Sequence, residues 1–249
     1  MKVNDIFEFL NEFCPFDTAC DFDNAGLLIG DKDCDVTRVV VALDCTEDVI
    51  NEATKIGAEL IITHHPVIFS PLKSVTTDGI AYRLIKSGIS VISAHTNLDI
   101  TDGGVNDCLA KALKLRNVEK IVCEDGFSFR KGVLDKEYTP DEFALYVKEA
   151  LNFSPRFTIG KNKIKTVAVC GGSGGDMLYD AVNANANALV TADVKHNVFV
   201  DAANMGFTLI DCGHFNTEDV VIEPLKSILS KKFPDITFVT NHKSYINCI

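Results

Sequence analysis

Residues 59–69 read ELIITHHPVIF, an apolar run that ends on two adjacent histidines, His64 and His65, and is closed by Pro66. A short apolar run of this kind, bounded by a charged residue and a proline, predicts a buried strand. Inside a regular strand neighbouring side chains leave on opposite faces, so two consecutive imidazoles share no target there. At a strand's C-terminal end the restriction relaxes. Pro66 marks that end, because it has no N–H to donate and biases His65 toward an extended backbone. Open α/β sheets bind ligands in the crevice outside the C-terminal ends of their strands. The pair reads either as ligands facing neighbouring metal ions or as hydrogen-bonded histidines that finish a strand.

Working outward, RVVVALD (38–44) is a second strand, and CTEDVINEATKIGA (45–58) a helix that Thr46 caps. Downstream, IAYRLIKSGI (80–89) is helical, SVISAH (90–95) is a strand, and GGVNDCLAKALKL (103–115) adds a helix. The opening residues form one more amphipathic helix. Such alternation predicts an α/β fold with a largely parallel sheet. Residues 123–165 are more polar and turn-rich, with YTPDEFALYVKEAL (138–151) as their helix, and read as a join. The alternation then restarts with KTVAVC (165–170), the turn GGSGGD (171–176), a helix from Met177, ALVTAD (188–193), a helix through Val198–Phe207, and TLIDCGH (208–214).

The restart resembles the first half. GAELIITHH (57–65) parallels ANALVTADVKH (186–196), and SGISVISAHTNLD (87–99) parallels MGFTLIDCGHFNTE (205–218). Both copies end on a histidine, an asparagine two later and a carboxylate four later: His95, Asn97 and Asp99, then His214, Asn216 and Glu218. The expectation is two similar α/β lobes related by internal duplication, an N-terminal lobe over 1–122 and a join plus C-terminal lobe over 123–249.

Composition narrows the chemistry. With 24 basic and 35 acidic residues the net charge is −11, which disfavours a broad nucleic-acid surface and requires a local positive centre for any anionic substrate. Nine cysteines without a C-x-x-C pair suggest neither a disulfide framework nor a thiolate zinc knuckle, as expected of a reducing cytoplasm. MKVNDIFEFLNEF lacks a signal-peptide cleavage pattern, and no apolar run is long enough for a bilayer, so a cytoplasmic protein with no membrane partner is expected.

Of six histidines, four directly follow predicted strands: His64, His65, His95 and His214. Imidazole and carboxylate without thiolate suit zinc, manganese, iron or cobalt, and sites of this make-up commonly leave a position for water. Asp99 reads as a ligand or as a turn-forming acid, and Glu218 as a ligand or as a first-turn acid of a helix capped by Asn216. Asp193 and His196, in TADVKH, occupy the place of the paired histidines in the second lobe and are expected either to line the cavity and bind substrate or to form an ordinary strand-to-helix turn. The glycines of GGSGGD either cradle a phosphate or only make a tight turn. Asp23 and Asn24 shape a rim or a turn, Cys212 is read as a small buried hydrophobe, and His242 carries no assignment.

The segments DNAGLLIGD, VALDCTEDVINEA, GAELIITHHPVIF, SAHTNLD, GGVND, VAVCGGSG and IDCGHFNTE, in this order, resemble the Nif-three-like dinuclear-metal family, also labelled GTP cyclohydrolase I type 2 homologues. The resemblance implies that His64, His65, Asp99, His214 and Glu218 bind two divalent metal ions, here zinc, iron or manganese. It also implies two α/β lobes facing each other across that site, and a ring-shaped homohexamer. His95 is left open by the family motif, as a direct ligand, a partner fixing Asp99, or a catalytic proton donor. The function expected is a dinuclear metal-dependent hydrolase that acts through a metal-bound hydroxide on a nucleotide-like or phosphoester small molecule, with a cyclohydrolase as its narrower version. The competing expectation is a metal-binding, metal-delivery or scaffold protein without turnover.

Overall fold

The computed structural model describes residues 1–124 and 126–246. Two compact units make up the chain: Met1–Thr101 with Ile222–Lys243, and Asp102–Val221 together with the described tail from Ser244 to Ile246.

The first unit begins with α1 (Val3–Phe13), which buries Val3, Ile6 and Leu10 at helical spacing. Then follow β1 (Gly26–Ile29), β2 (Arg38–Ala42), α2 (Glu47–Ile56), β3 (Leu60–Thr63), α3 (Ile80–Ser87), β4 (Ser90–Ser93) and the single turn α4 (Thr96–Ile100). Thr46 caps α2 as expected, its hydroxyl accepting the Val49 N–H, and Gly57 ends that helix in the left-handed region.

The second unit comprises α5 (Val105–Ala112), β5 (Arg116–Val122), β6 (Ser128–Tyr138), α6 (Pro140–Leu151), β7 (Arg156–Phe157), β8 (Ile164–Val169), α7 (Leu178–Asn183), β9 (Ala188–Thr191), α8 (His196–Met205), β10 (Thr208–Asp211) and the short α9 (His214–Glu218). The chain then returns to the first unit through α10 (Ile222–Lys232) and β11 (Thr237–Asn241).

Each unit holds its own sheet. The first has the order β1-β4-β3-β2-β11, in which β4, β3, β2 and β11 run parallel and β1 closes one edge antiparallel. The second has the order β5-β6-β8-β9-β10-β7, with β8, β9 and β10 parallel and the flanking strands antiparallel. Of the parallel strands, β3, β4, β9 and β10 are buried on both faces, which is why they read as largely apolar runs. Alternation divides them: Val167, Val169, Val190 and Ile210 face the core built with Leu109, Phe143 and Val147, whereas Ala168, Leu189 and Leu209 pack with Leu178, Ala202 and Phe207. In the first unit Val40, Ala42, Ile61 and Val91 meet Val49, Ile50, Ala53 and Leu84.

The units do not divide at the 122/123 boundary expected from the sequence. Residues 102–122 belong with the second unit, because β5 pairs along β6 and buried Arg130 of β6 grips Asp107 of α5 with two hydrogen bonds of 2.8 and 3.0 Å. The supposed join is thus largely sheet and helix, and α6 is capped by a reciprocal Thr139–Glu142 box. Residues 222–243 return to the first unit because β11 extends the parallel ladder at β2, from Thr237 opposite Arg38 to Asn241 opposite Ala42.

Candidate metal centre

In the first unit the functional side chains sit where β3 and β4 end. The Thr63 hydroxyl donates to the His65 carbonyl at 2.8 Å, so its contact of 2.8 Å with Ser93 uses the serine proton and clamps the two strand ends together. Backbone pairing continues past β3, with His64 N–H on Ala42 and His65 N–H on Leu43. Beyond the strand the two imidazoles no longer oppose each other. Their ring centroids lie 5.1 Å apart, and His95 lies 5.2 and 5.6 Å from His64 and His65. Each of the three offers a nitrogen within 4.8 Å of the other two.

The three rings are oriented the same way chemically. His64 Nδ1 lies 2.8 Å from the Ala94 carbonyl, an atom that only accepts, so Nδ1 carries the proton and Nε2 keeps its lone pair. His65 Nδ1 meets Asp44 Oδ1 at 2.7 Å and His95 Nδ1 meets Asp23 Oδ1 at 2.8 Å. A histidine that ligates a metal characteristically gives its other ring N–H to a carboxylate or backbone carbonyl. Asp99 follows one turn after His95, is 7% exposed, and places Oδ1 3.5 Å from His64 Nε2.

Asp23 is tightly held in this unit. Burial by itself raises its carboxyl, but hydrogen bonds from His95 and the Thr96 hydroxyl, the His95 charge and the Thr96 amide outweigh that and hold it well below the usual range. It is therefore an anion that fixes His95.

The second unit repeats the device on α9. His214 Nδ1 meets Asp193 Oδ2 at 2.7 Å, and His214 Nε2 lies 3.0 Å from Glu218 Oε2. Asp193 adopts φ 50°, a left-handed conformation that a short polar side chain tolerates. The helix starts at Gly213 rather than at an Asn216 cap. Asn216 instead gives its amide to the Leu151 carbonyl.

The glycine loop after β8 does more than turn the chain. Three of its amides have partners within the unit: Gly171 N–H donates to Asn106, Gly172 N–H to Thr217, and Gly174 N–H to Thr191. Gly172, at φ +60°, lies against the carboxylate, and a Cβ there would stand 2.0 Å from Glu218 Oε1 and 3.2 Å from His214 Nε2. The glycine admits the acid. Cys212, fully buried, is a core thiol pushed up to about 12 by burial and then by the Asp211 charge.

The donor set fits a divalent cation. Imidazole nitrogens with their far side anchored, next to carboxylate oxygens and without thiolate, suit zinc, iron or manganese. Of the residues expected from the sequence, the structure brings His64, His65, His95 and Asp99 together in the first unit, and His214 with Glu218 in the second. Asp193 is placed differently from expectation, committed to orienting His214. His196 opens α8 beside a surface groove of about 380 Å³ lined by Arg156, Phe157, Phe199 and Val200. Asp44 was missed, although its place after a strand in VALDCTED, like that of the histidines, was the available signal. His242 pairs with Glu223 at 3.1 Å.

The model of the family described as Duf34/NIF3 (NGG1p interacting factor 3) matches residues 1–245. The chain belongs to the Duf34/NIF3 family. Among curated relatives, a GTP cyclohydrolase 1 type 2 homolog of Clostridium perfringens is 36% identical over 256 residues, covering 98% of this chain and 97% of its own. Among solved structures, Staphylococcus aureus hypothetical protein SA1388 superposes with a TM-score of 0.93 at 34% identity, over 100% of this chain and 99% of that one. Reduced HcgD from Methanocaldococcus jannaschii gives 0.81 at 29% identity, over 96% and 97%. This Duf34/NIF3 chain has, among its described residues, no helix long and apolar enough to cross a membrane.

Proposed function

We propose that this protein is a metal-dependent hydrolase in which His64, His65 and Asp99 of the first unit, with His214 and Glu218 of the second, hold two divalent cations, and that it acts on an anionic, nucleotide-like or phosphoester small molecule. The observation that carries the proposal is the convergence of His64, His65 and His95 with each Nδ1 already engaged. Bound there, the cations would supply Lewis acidity to the bond under attack and acidify water near neutral pH. The chain's own contribution is orientation. Ala94, Asp44 and Asp193 fix the tautomers of His64, His65 and His214, so their Nε2 atoms are presented without a rotamer search. His95, held by Asp23, is the proton carrier at Nε2. Net two positive charges remain when two carboxylates face two divalent ions, which favours an anionic substrate in an otherwise acidic chain. Following the family resemblance, the assembly is proposed to be a homohexamer, which light scattering checks directly.

The test is elemental analysis of protein purified without an affinity tag, followed by turnover against a panel of nucleotides and phosphoesters. The expected result is about two metal equivalents per chain and activity that disappears in His95→Ala while metal content stays. Metal-loaded protein inert across the panel would instead establish a binding or delivery role.

A further inference from the structure

Two phenylalanines stand exposed beside the histidine cluster. Phe22 is 68% and Phe69 51% exposed, their ring centroids are 6.5 Å apart with planes at 53°, and the Phe69 ring lies 6.2 Å from that of His95. Leaving a phenylalanine in water forgoes the stabilisation that burying its ring would give. A single exposed ring needs no explanation, but two together at the edge of a polar ligand cluster do.

Their positions are fixed by the residues next to them. Asp23, which follows Phe22, is locked to the His95 ring and to the amide and hydroxyl of Thr96. Asn24 then donates its side-chain amide to the carbonyl of Ile68, the residue before Phe69, at 2.5 Å. The loop bearing Phe22 is thereby braced both to the histidine and to the loop bearing Phe69. Polar side chains do the holding while the rings face outward.

We propose that Phe22 and Phe69 form a stacking platform for a planar heteroaromatic ring, so that the ligand of this site is a nucleobase-bearing phosphate rather than a plain phosphoester. The histidines and Asp99 would hold the cations that attract the charged end of such a molecule. The rings provide only π faces, with no donor or acceptor to read a base edge, so they recognise flatness and tolerate different bases. This inference rests on the reading of the histidine cluster as a metal centre.

The experiment is calorimetric titration of the metal-loaded full chain with GTP and, separately, with inorganic triphosphate, for the wild type, Phe22→Ala, Phe69→Ala and Phe69→Trp. Metal content and subunit number are measured on every variant. The expected result is GTP affinity lowered about tenfold or more by either alanine and kept by tryptophan, with triphosphate affinity and metal content unchanged. Wild type that binds GTP no better than triphosphate, or alanine variants that weaken both ligands in parallel or neither, overturns the platform while leaving the metal centre standing. An altered subunit number in the alanine variants also overturns it, since the rings would then cover another copy of the chain. Wild type that takes up no metal overturns the centre and the platform together.

Discussion

The turn His95–Asp99 and the turn His214–Glu218 use one plan with different supports. In each, a histidine gives Nδ1 to an aspartate from a distant loop, Asp23 or Asp193, and an asparagine ties the turn to the end of a helix, Asn97 to Cys14 after α1 and Asn216 to Leu151 in α6. The supports differ in depth. The Asp23 side chain is fully buried and that of Asp193 is 55% exposed, while Asn97 is fully buried and Asn216 only partly. The carboxylates differ in length too, and the longer one, Glu218, is seated against a glycine. One half is held by burial, the other by close backbone approach.

The largest test of that contrast is Gly172→Ala. Its new Cβ displaces the Glu218 carboxylate, so affinity for metal should fall about 10–100-fold, the range seen when a ligand's support is lost. Adding Glu218→Asp, which shortens the acid, should recover part of it; calorimetry with zinc reads both, and no recovery would mean that the glycine acts on the fold rather than on the acid.

Next in size is Asp23→Asn set against Asp193→Asn. The buried anion should matter more to stability than the exposed one, with denaturant midpoints as the measure. The sign with pH follows from the depressed Asp23 carboxyl: its stabilisation is complete above the unfolded value of about 4 and is lost as the pH falls toward the lower folded one. The gap between wild type and Asp23→Asn should therefore be widest near neutral pH and shrink below about pH 4. A constant gap would deny the ionic role.

Asn97→Ala should cost about 1–3 kcal/mol, because it strands the buried Cys14 carbonyl and the His95 N–H, and Asn216→Ala should cost less. Equal losses in thermal unfolding would erase the difference in depth. Thr46→Ala, outside both turns, should cost about 1 kcal/mol as a lost cap and leave metal affinity unchanged.

Local pattern carried the parallel strands β2, β3, β4, β8, β9 and β10, the helices between them and the residues at strand ends, because apolar runs and caps are properties of neighbouring residues. It did not carry β5, whose side chains are nearly all exposed and show no alternation, nor β11, whose pairing partner lies almost two hundred residues away. The candidate ligands were legible in HHP, HTNLD and HFNTE. Their orienting partners were not, since Asp44 and Asp193 stand 21 residues, and Asp23 72 residues, from the imidazoles they hold. The glycine loop was visible but its purpose was not, because closeness to Glu218 is a tertiary fact.

The nested order of the two units bears on how the chain is made. Asp102–Val221 is an uninterrupted stretch set within the first unit, whose sheet lacks its edge strand until Asn241 has been translated. On the ribosome, the stretch encoded later can therefore mature before the one encoded first, and β2 must wait with its Val39–Val41 edge unpaired. Premature termination near residue 221 would release a nascent chain with a finished interior and an open, sticky flank.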